Sequence, residues 1–294
     1  MWNTPGSATP VSPASGMATP ASPPRDLLLI AGGGVYPLEL LRSARAQGVQ
    51  RIVALAFRGE TDRTVATEAD EVRWLSVGRL REFLDVAASF GIPDVVMAGR
   101  IRPVRLFHLR PDREAFELLK TLRVKNAETI FGAIANRLGE RGLALRPAHW
   151  FMERAMPAAG VLGRRPPTPR EESDIALGRR VARATSGLDI GQTVVVRDGV
   201  ILAIEAFEGT DAAIRRAGRI AGPGAVVVKR AKRHHDMRFD IPVVGRRTLR
   251  VLRRVRASAL ALEAGRTIIL EREAVIREAD RLNLCLLAFE GENE

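Results

Sequence analysis

From Leu27 to Ala98 the chain repeats one pattern: a short apolar run, a turn, then an amphipathic stretch. Leu27–Ala31 runs into Gly32-Gly33-Gly34 and a helix predicted over about Pro37–Gln47, with proline suited to a first helical turn. A second apolar run follows at Ile52–Phe57, and Leu80–Phe90 carries helical periodicity. Pro93 then introduces a third run at Asp94–Ala98. Strands that alternate with helices build a parallel sheet with helices packed on it, so this pattern restricts the first half to an α/β fold. Two further helices are predicted at Glu114–Leu122 and Ala127–Arg141.

Pro157–Pro169 is rich in Pro, Gly and Arg and has no periodicity, which marks a boundary. Beyond it a helix is predicted over Glu172–Thr185. Strands at Thr193–Arg197 and Ile201–Glu205 are joined by Asp198-Gly199, a hairpin signal. A helix over Ala212–Arg219 follows. Later strands are expected at Ala225–Lys229, Thr267–Leu270 and Cys285–Phe289, and helices at Thr248–Ala257 and Glu273–Leu282. The expected architecture is two α/β domains: the first Rossmann-like with a parallel sheet, the second a mixed sheet with helices. A length of 294 residues is ample for both. The divisions are a disordered tail over 1–24, a first domain over 25–156, a linker over 157–170 and a second domain over 171–294. The tail is Ser, Pro, Ala, Thr and Gly without the apolar core of a signal peptide, and Met17 is an alternative start.

The net charge is +12, and nearly all of the positive charge is arginine: the lysines are only Lys120, Lys125, Lys229 and Lys232. Arginine forks suit phosphate. Such a balance admits nucleic acid, an anionic membrane surface or a phosphorylated small molecule as partner. Aromatic residues make up 5%, too few for a row of base-stacking platforms, which argues against nucleic acid. No apolar run approaches the roughly 18–20 residues that span a bilayer. Cys285 stands alone in the apolar run Leu284–Phe289, which excludes an internal disulfide or a cysteine-rich zinc site and reads as a core position.

The chemistry-bearing residues fall in four places. The glycine turn, Gly32-Gly33-Gly34, between a strand and a helix can bring backbone N–H groups and a helix N-terminus to a phosphate. Its spacing is not G-x-G-x-x-G, and the second strand ends Phe57-Arg58-Gly59 where a dinucleotide fold would place a ribose-binding acid. The same glycines also read as a tight turn. Arg100 and Arg102 lie past the third strand, on the edge that in a parallel sheet faces the same crevice. Leu188–Asp211 sets Asp189, Glu205, Glu208 and Asp211 around a β-rich stretch. Spacing favours Thr210 or Asp211 as a helix cap. The competing role for Asp211 is to hold a hard cation such as Mg²⁺, with Glu205 or Glu208 beside it. Finally, Lys229, Lys232 and Arg238 in KRAKRHHDMRFD can neutralise a pyrophosphate, with Asp236 and Asp240 to orient them. His234 and His235, adjacent on an extended chain, point opposite ways and make a poor zinc pair.

These segments resemble the LpxI family of UDP-2,3-diacylglucosamine pyrophosphatases over roughly Leu27 to Phe289. LIAGGGVYPLEL and AGRIRP carry the likeness in the first half. LDIGQTVVV, ILAIEAFEGTDAAIRR, VKRAKRHHDMRFDIPVVG and ALEAGRTIILEREAVIREAD carry it in the second. The resemblance implies an enzyme of lipid A synthesis that hydrolyses UDP-2,3-diacylglucosamine to UMP and 2,3-diacylglucosamine 1-phosphate with Mg²⁺ or Mn²⁺. It implies a nucleotide-binding first domain, a catalytic second domain and an acylated ligand held between them. The family's metal-linked aspartate matches Asp211 in EGTD, which turns the expectation for that residue from cap to metal ligand, with Glu205 as a second ligand. The catalytic candidates are then Asp211, Glu208, Lys229, Lys232 and Asp236, with Glu208 and Asp236 as rival general bases. Gly32, Gly33, Gly34, Arg100, Arg102, Gln192, Thr210 and Arg238 are the substrate-binding candidates. A cytoplasmic location, peripheral on the inner face of the inner membrane, follows from the lipid substrate and the basic charge. Self-association is an open expectation. The alternatives raised by the residues alone are an NAD(P)-binding oxidoreductase and a basic nucleic-acid-binding module.

Overall fold

A computed structural model describes residues 22–101, 111–188, 190–232, 236–239 and 241–291. The first five strands are β1 (Asp26–Ala31), β2 (Arg51–Phe57), β3 (Glu71–Leu75), β4 (Asp94–Ala98) and β5 (Ala144–Leu145). They form one parallel sheet in the order β3-β2-β1-β4-β5. Successive side chains of a strand point to opposite faces, and both faces are covered. Leu27, Leu29 and Ala31 of β1 pack with α1 (Tyr36–Ala46). Leu28 and Ile30 pack on the other side with α3 (Leu80–Ser89), α4 (Arg113–Thr121) and α5 (Ala127–Gly139). A one-turn helix α2 (Val65–Glu68) leads into β3.

The second sheet is mixed and six-stranded, in the order β6-β13-β11-β9-β7-β8. Its strands are β6 (Gly160–Val161), β7 (Thr193–Arg197), β8 (Val200–Ile204), β9 (Val226–Lys229), β11 (Ala259–Glu263) and β13 (Cys285–Phe289). β9, β11 and β13 run parallel, and β6, β7 and β8 enter antiparallel pairings at the two edges. The long helix α6 (Pro169–Gly187) covers one face. The other is covered by α7 (Thr210–Ala221), α8 (Arg246–Val255) and α9 (Arg272–Arg281). A two-stranded parallel pair, β10 (Val243–Val244) with β12 (Ile268–Ile269), stands apart from both sheets.

The two-domain α/β architecture agrees with the sequence pattern, and Cys285 is fully buried, its thiol pushed up to about 11 by burial. Three differences are informative. The stretch 157–170, expected as a linker, contains the edge strand β6, and its Pro169 is already the first residue of α6. β11 escaped the periodicity because ALALE is built of residues that favour helices. Yet all five of its residues are buried at the centre of the sheet. The domains also share a core: Ile241, Ile268 and Leu270 from the second half pack with Tyr36, Leu40 and Trp150 from the first. One backbone bond crosses that seam, the Ala148 N–H donating to the Met237 carbonyl, and within the first domain the Tyr36 hydroxyl donates to the Ala148 carbonyl.

Candidate active site

A cleft of about 1080 Å³ opens between the domains. Its two walls differ in character. The first domain contributes apolar side chains from three helices, among them Leu80, Phe83, Leu118, Ile130, Phe131 and Ile134. The second contributes Gln192, Glu205, Asp211 and Lys229, together with Arg246, Arg247 and Arg250 of α8.

The charged wall is built where β8 passes into α7. Gly209 is the N-cap of α7 and no side chain caps the helix, so neither Thr210 nor Asp211 takes the cap role that spacing favoured. Thr210 instead places its hydroxyl 3.0 Å from each Glu205 carboxylate oxygen and receives a hydrogen bond from Lys229 Nζ at 2.9 Å. Lys229 ends β9, is 3% exposed and reaches Thr193 Oγ1 at 3.4 Å and Glu205 Oε2 at 3.9 Å. A buried charge needs such partners, and this network fixes Lys229 at the cleft floor. Gly191 makes the network possible: a Cβ there would collide with the Glu205 carbonyl oxygen. Gln192 lines the cleft with a buried Oε1 that has no partner among the described residues.

Asp211 faces the cleft from the first turn of α7. Its Oδ2 lies 2.6 Å from Arg247 Nε and 3.9 Å from Arg215 Nη2. Glu208 also lines the cleft, but Arg216, 2.6 Å away, holds its carboxyl below the usual range, which weakens it as a general base. Asp236 pairs with Arg238 at 2.8 Å, and Asp236, Arg238 and Lys232 do not line the cleft. Arg102, Asp189, His234, His235 and Asp240 lie outside the described residues.

The glycine turn lines the cleft by a different logic from the one expected. Gly32 N–H donates to the Ala98 carbonyl at 2.7 Å and Gly33 N–H to the Arg100 carbonyl at 2.8 Å. Both donors are therefore spent inside the fold, which corrects the expectation that they cradle a phosphate. Glycine is required because backbone comes close: a Cβ on Gly32 would sit 2.8 Å from Arg100 N, and one on Gly33 2.8 Å from the Glu60 carbonyl oxygen. What the turn presents to the cleft is Gly34, Val35 and the start of α1, beside the exposed Arg100.

Among the described residues no three Asp, Glu, His or Cys side chains converge as a ready-made metal cage. Glu205, expected as a second ligand, turns to Thr210 and Lys229 instead. Asp211 offers its carboxylate to the cleft, which Glu205, Glu208 and Glu271 also line. Magnesium is commonly held by one or two carboxylates completed by substrate phosphates and water. The donor set fits a divalent cation on those terms, with Arg247 moved off Asp211.

A family model described as the LpxI N-terminal domain matches residues 26–155, and one described as the LpxI C-terminal domain matches residues 158–287. The chain belongs to the LpxI family. It is 31% identical over 279 residues to the UDP-2,3-diacylglucosamine pyrophosphatase LpxI of Caulobacter vibrioides, an alignment covering 90% of this chain and 98% of that one. Two solved structures are remote likenesses of this LpxI chain. One is the biotin carboxylase domain of a thermophilic 2-oxoglutarate carboxylase bound to ADP, with 17% identity and TM-score 0.25 over 68% of this chain and 34% of that one. Another is the biotin carboxylase domain dimer of Hydrogenobacter thermophilus 2-oxoglutarate carboxylase, with 13% identity and TM-score 0.26 over 67% and 41%. Scores this low carry no argument about the LpxI site.

Proposed function

We propose that the interdomain cleft hydrolyses the pyrophosphate of UDP-2,3-diacylglucosamine, giving UMP and 2,3-diacylglucosamine 1-phosphate for lipid A synthesis. The pairing of an apolar wall with a cationic wall in one cleft supports this reading. A substrate with two acyl chains and a pyrophosphate needs both surfaces side by side. The acyl chains lie along Leu118, Ile130, Phe131 and Ile134, and the diphosphate faces Lys229, Arg247 and Arg250. That arrangement gives the first domain an acyl-binding role beside any nucleotide contact.

Lys229 is held at a fixed place by Thr193, Thr210 and Glu205, so its charge meets negative charge developing on the phosphates without rearrangement. Arg247, released from Asp211 when substrate enters, adds a second positive charge. Asp211 is the residue that would hold Mg²⁺ or Mn²⁺, and such an ion would supply neutralisation of the phosphate charge. Water attacks the phosphorus nearer the sugar. Membrane contact is peripheral, on the cytoplasmic face of the inner membrane; among the described residues no helix is long and apolar enough to cross a bilayer.

The test is incubation of purified protein with UDP-2,3-diacylglucosamine and Mg²⁺ in ¹⁸O-water. The expected products are UMP and a sugar 1-phosphate that carries the label. No release of UMP would refute the reaction, and label in UMP would move the attack to the other phosphorus. Chelation by EDTA should stop turnover and added Mg²⁺ or Mn²⁺ restore it; turnover that persists after rigorous chelation would remove the metal from the scheme.

A further inference from the structure

The arginines of α8 are gathered on one side. At about 100° per residue, Arg246, Arg247, Arg250, Arg253 and Arg254 occupy an arc of about 120°. All five are exposed, and the opposite side, Thr248, Leu249, Val251 and Leu252, is buried. Two have acidic partners: Arg246 pairs with Glu271 at 3.5 Å and Arg247 with Asp211 at 2.6 Å. Arg250, Arg253, Arg254 and the exposed C-cap residue Arg256 have none among the described residues.

Helix electrostatics account for only half of this stripe. Cations in a last turn are favoured by the helix dipole, which suits Arg253 and Arg254. Cations in a first turn oppose it, yet α8 opens with Arg246 and Arg247 and has no acid there. Glu271 and Asp211 offset those two charges within the protein, which leaves Arg250, Arg253, Arg254 and Arg256 as the cationic surplus of this face. Arg246, Arg247 and Arg250 line the cleft, so the positive stripe starts at the site and continues outward along the helix.

Exposed apolar side chains occur on α7 and in the loop before it. α7 lies alongside α8: Asp211 meets Arg247 near the two N-terminal ends, and Gly218 packs against Val255 near the two C-terminal ends. The last turn of α7 carries Arg219 and Ile220, the latter 62% exposed, and Phe207 at the cleft rim is 76% exposed. A cationic face with exposed apolar tips is the composition that binds an anionic bilayer at its headgroup boundary.

We infer that the α7–α8 face docks on an anionic lipid bilayer and turns the cleft mouth toward it. The inference rests on the proposed lipid substrate for its purpose, but its evidence is the charge and exposure of this face. A duplex nucleic acid would meet the charge but has no use for Phe207, Ile220 or an apolar-walled cleft.

The test is co-sedimentation of the full chain with vesicles of phosphatidylcholine, with and without phosphatidylglycerol, in low and high salt and without substrate. Binding is expected only with phosphatidylglycerol and should fall steeply as salt rises. Arg253→Gln with Arg254→Gln should weaken it roughly 30-fold. Arg253→Lys with Arg254→Lys should bind like wild type, which separates lost charge from lost fold. Turnover of UDP-2,3-diacylglucosamine in neutral detergent micelles should be the same for all three. Equal vesicle binding by the Gln variant, or none by wild type, would overturn the inference. Displacement of the vesicles by duplex DNA at equal charge would also overturn it, in favour of nucleic acid. Vesicle binding that follows the charge while turnover is absent in every protein would leave the surface standing and the proposed reaction refuted.

Discussion

An acid in the first turn of a helix usually serves that helix, by capping it or by answering its dipole. Asp211 occupies such a position but gives its carboxylate to Arg247 on the neighbouring helix, at the edge of a large cleft. Asp211→Asn keeps the size and loses the charge. We expect kcat to fall by at least about 10²-fold, with the thermal midpoint within a few degrees of wild type; turnover within a factor of a few would remove Asp211 from the mechanism. Gly191 predicts the opposite kind of effect. A methyl group there strikes the Glu205 carbonyl, so Gly191→Ala should cost about 1–3 kcal/mol of stability by urea unfolding and shift Thr210 and Lys229 with it. Sequence spacing led to Asp211 as a cap or a metal ligand; the fold removes the cap role and pairs the carboxylate with Arg247, 36 residues away, which spacing could not see. It likewise grouped Glu205, Glu208 and Asp211, which all line the cleft but take different partners: Thr210 and Lys229, Arg216, and Arg247.

At the scale of elements, legibility followed local chemistry. β7, β4 and β13 have β-branched or apolar runs with clear ends, and their ranges match the sequence pattern. β11 was hidden because its identity comes from the strands on either side rather than from its own residues. The start of α6 was legible in principle. Thr168 and Glu171 form a reciprocal capping box, with the Thr168 side chain accepting from Glu171 N and the Glu171 carboxylate accepting from Thr168 N. Arg165 adds an ion pair at 2.8 Å, and Glu171 is held down at about 2 by these partners despite its burial. Thr168→Ala should lower stability by about 1 kcal/mol in chemical denaturation, and no change would show that the Arg165 pair alone sets the helix start. The glycine turn teaches a related lesson. Three glycines between a strand and a helix signal close approach, but whether ligand or protein backbone does the approaching depends on the β4–α4 connection, which periodicity does not place.

Across the whole molecule the two domains meet through polar as well as apolar contacts. Glu39 of α1 accepts a hydrogen bond from Glu271 N at the head of α9, 2.7 Å away, with Glu271, Glu273 and Arg42 as its charged neighbours. Burial pushes its carboxyl up from an ordinary 4.5 to about 7. The folded state therefore holds this proton more tightly than the unfolded chain. Its advantage is complete below the unfolded value and is lost as pH rises through the folded one. Glu39→Gln keeps an acceptor for Glu271 N and removes the titration. Relative to the variant, wild type should lose stability between those two pH values and stay level above them, as read from urea midpoints; parallel curves would place the proton elsewhere.

The apolar seam that joins Tyr36, Leu40 and Trp150 to Ile241, Ile268 and Leu270 also bears on inheritance and handling. The two family models meet at residues 155 and 158, which invites cutting there to obtain two smaller proteins. Each piece would carry a bare greasy flank that only the other can cover. Fragments made apart should aggregate, and fragments made together should find each other and regain the cleft.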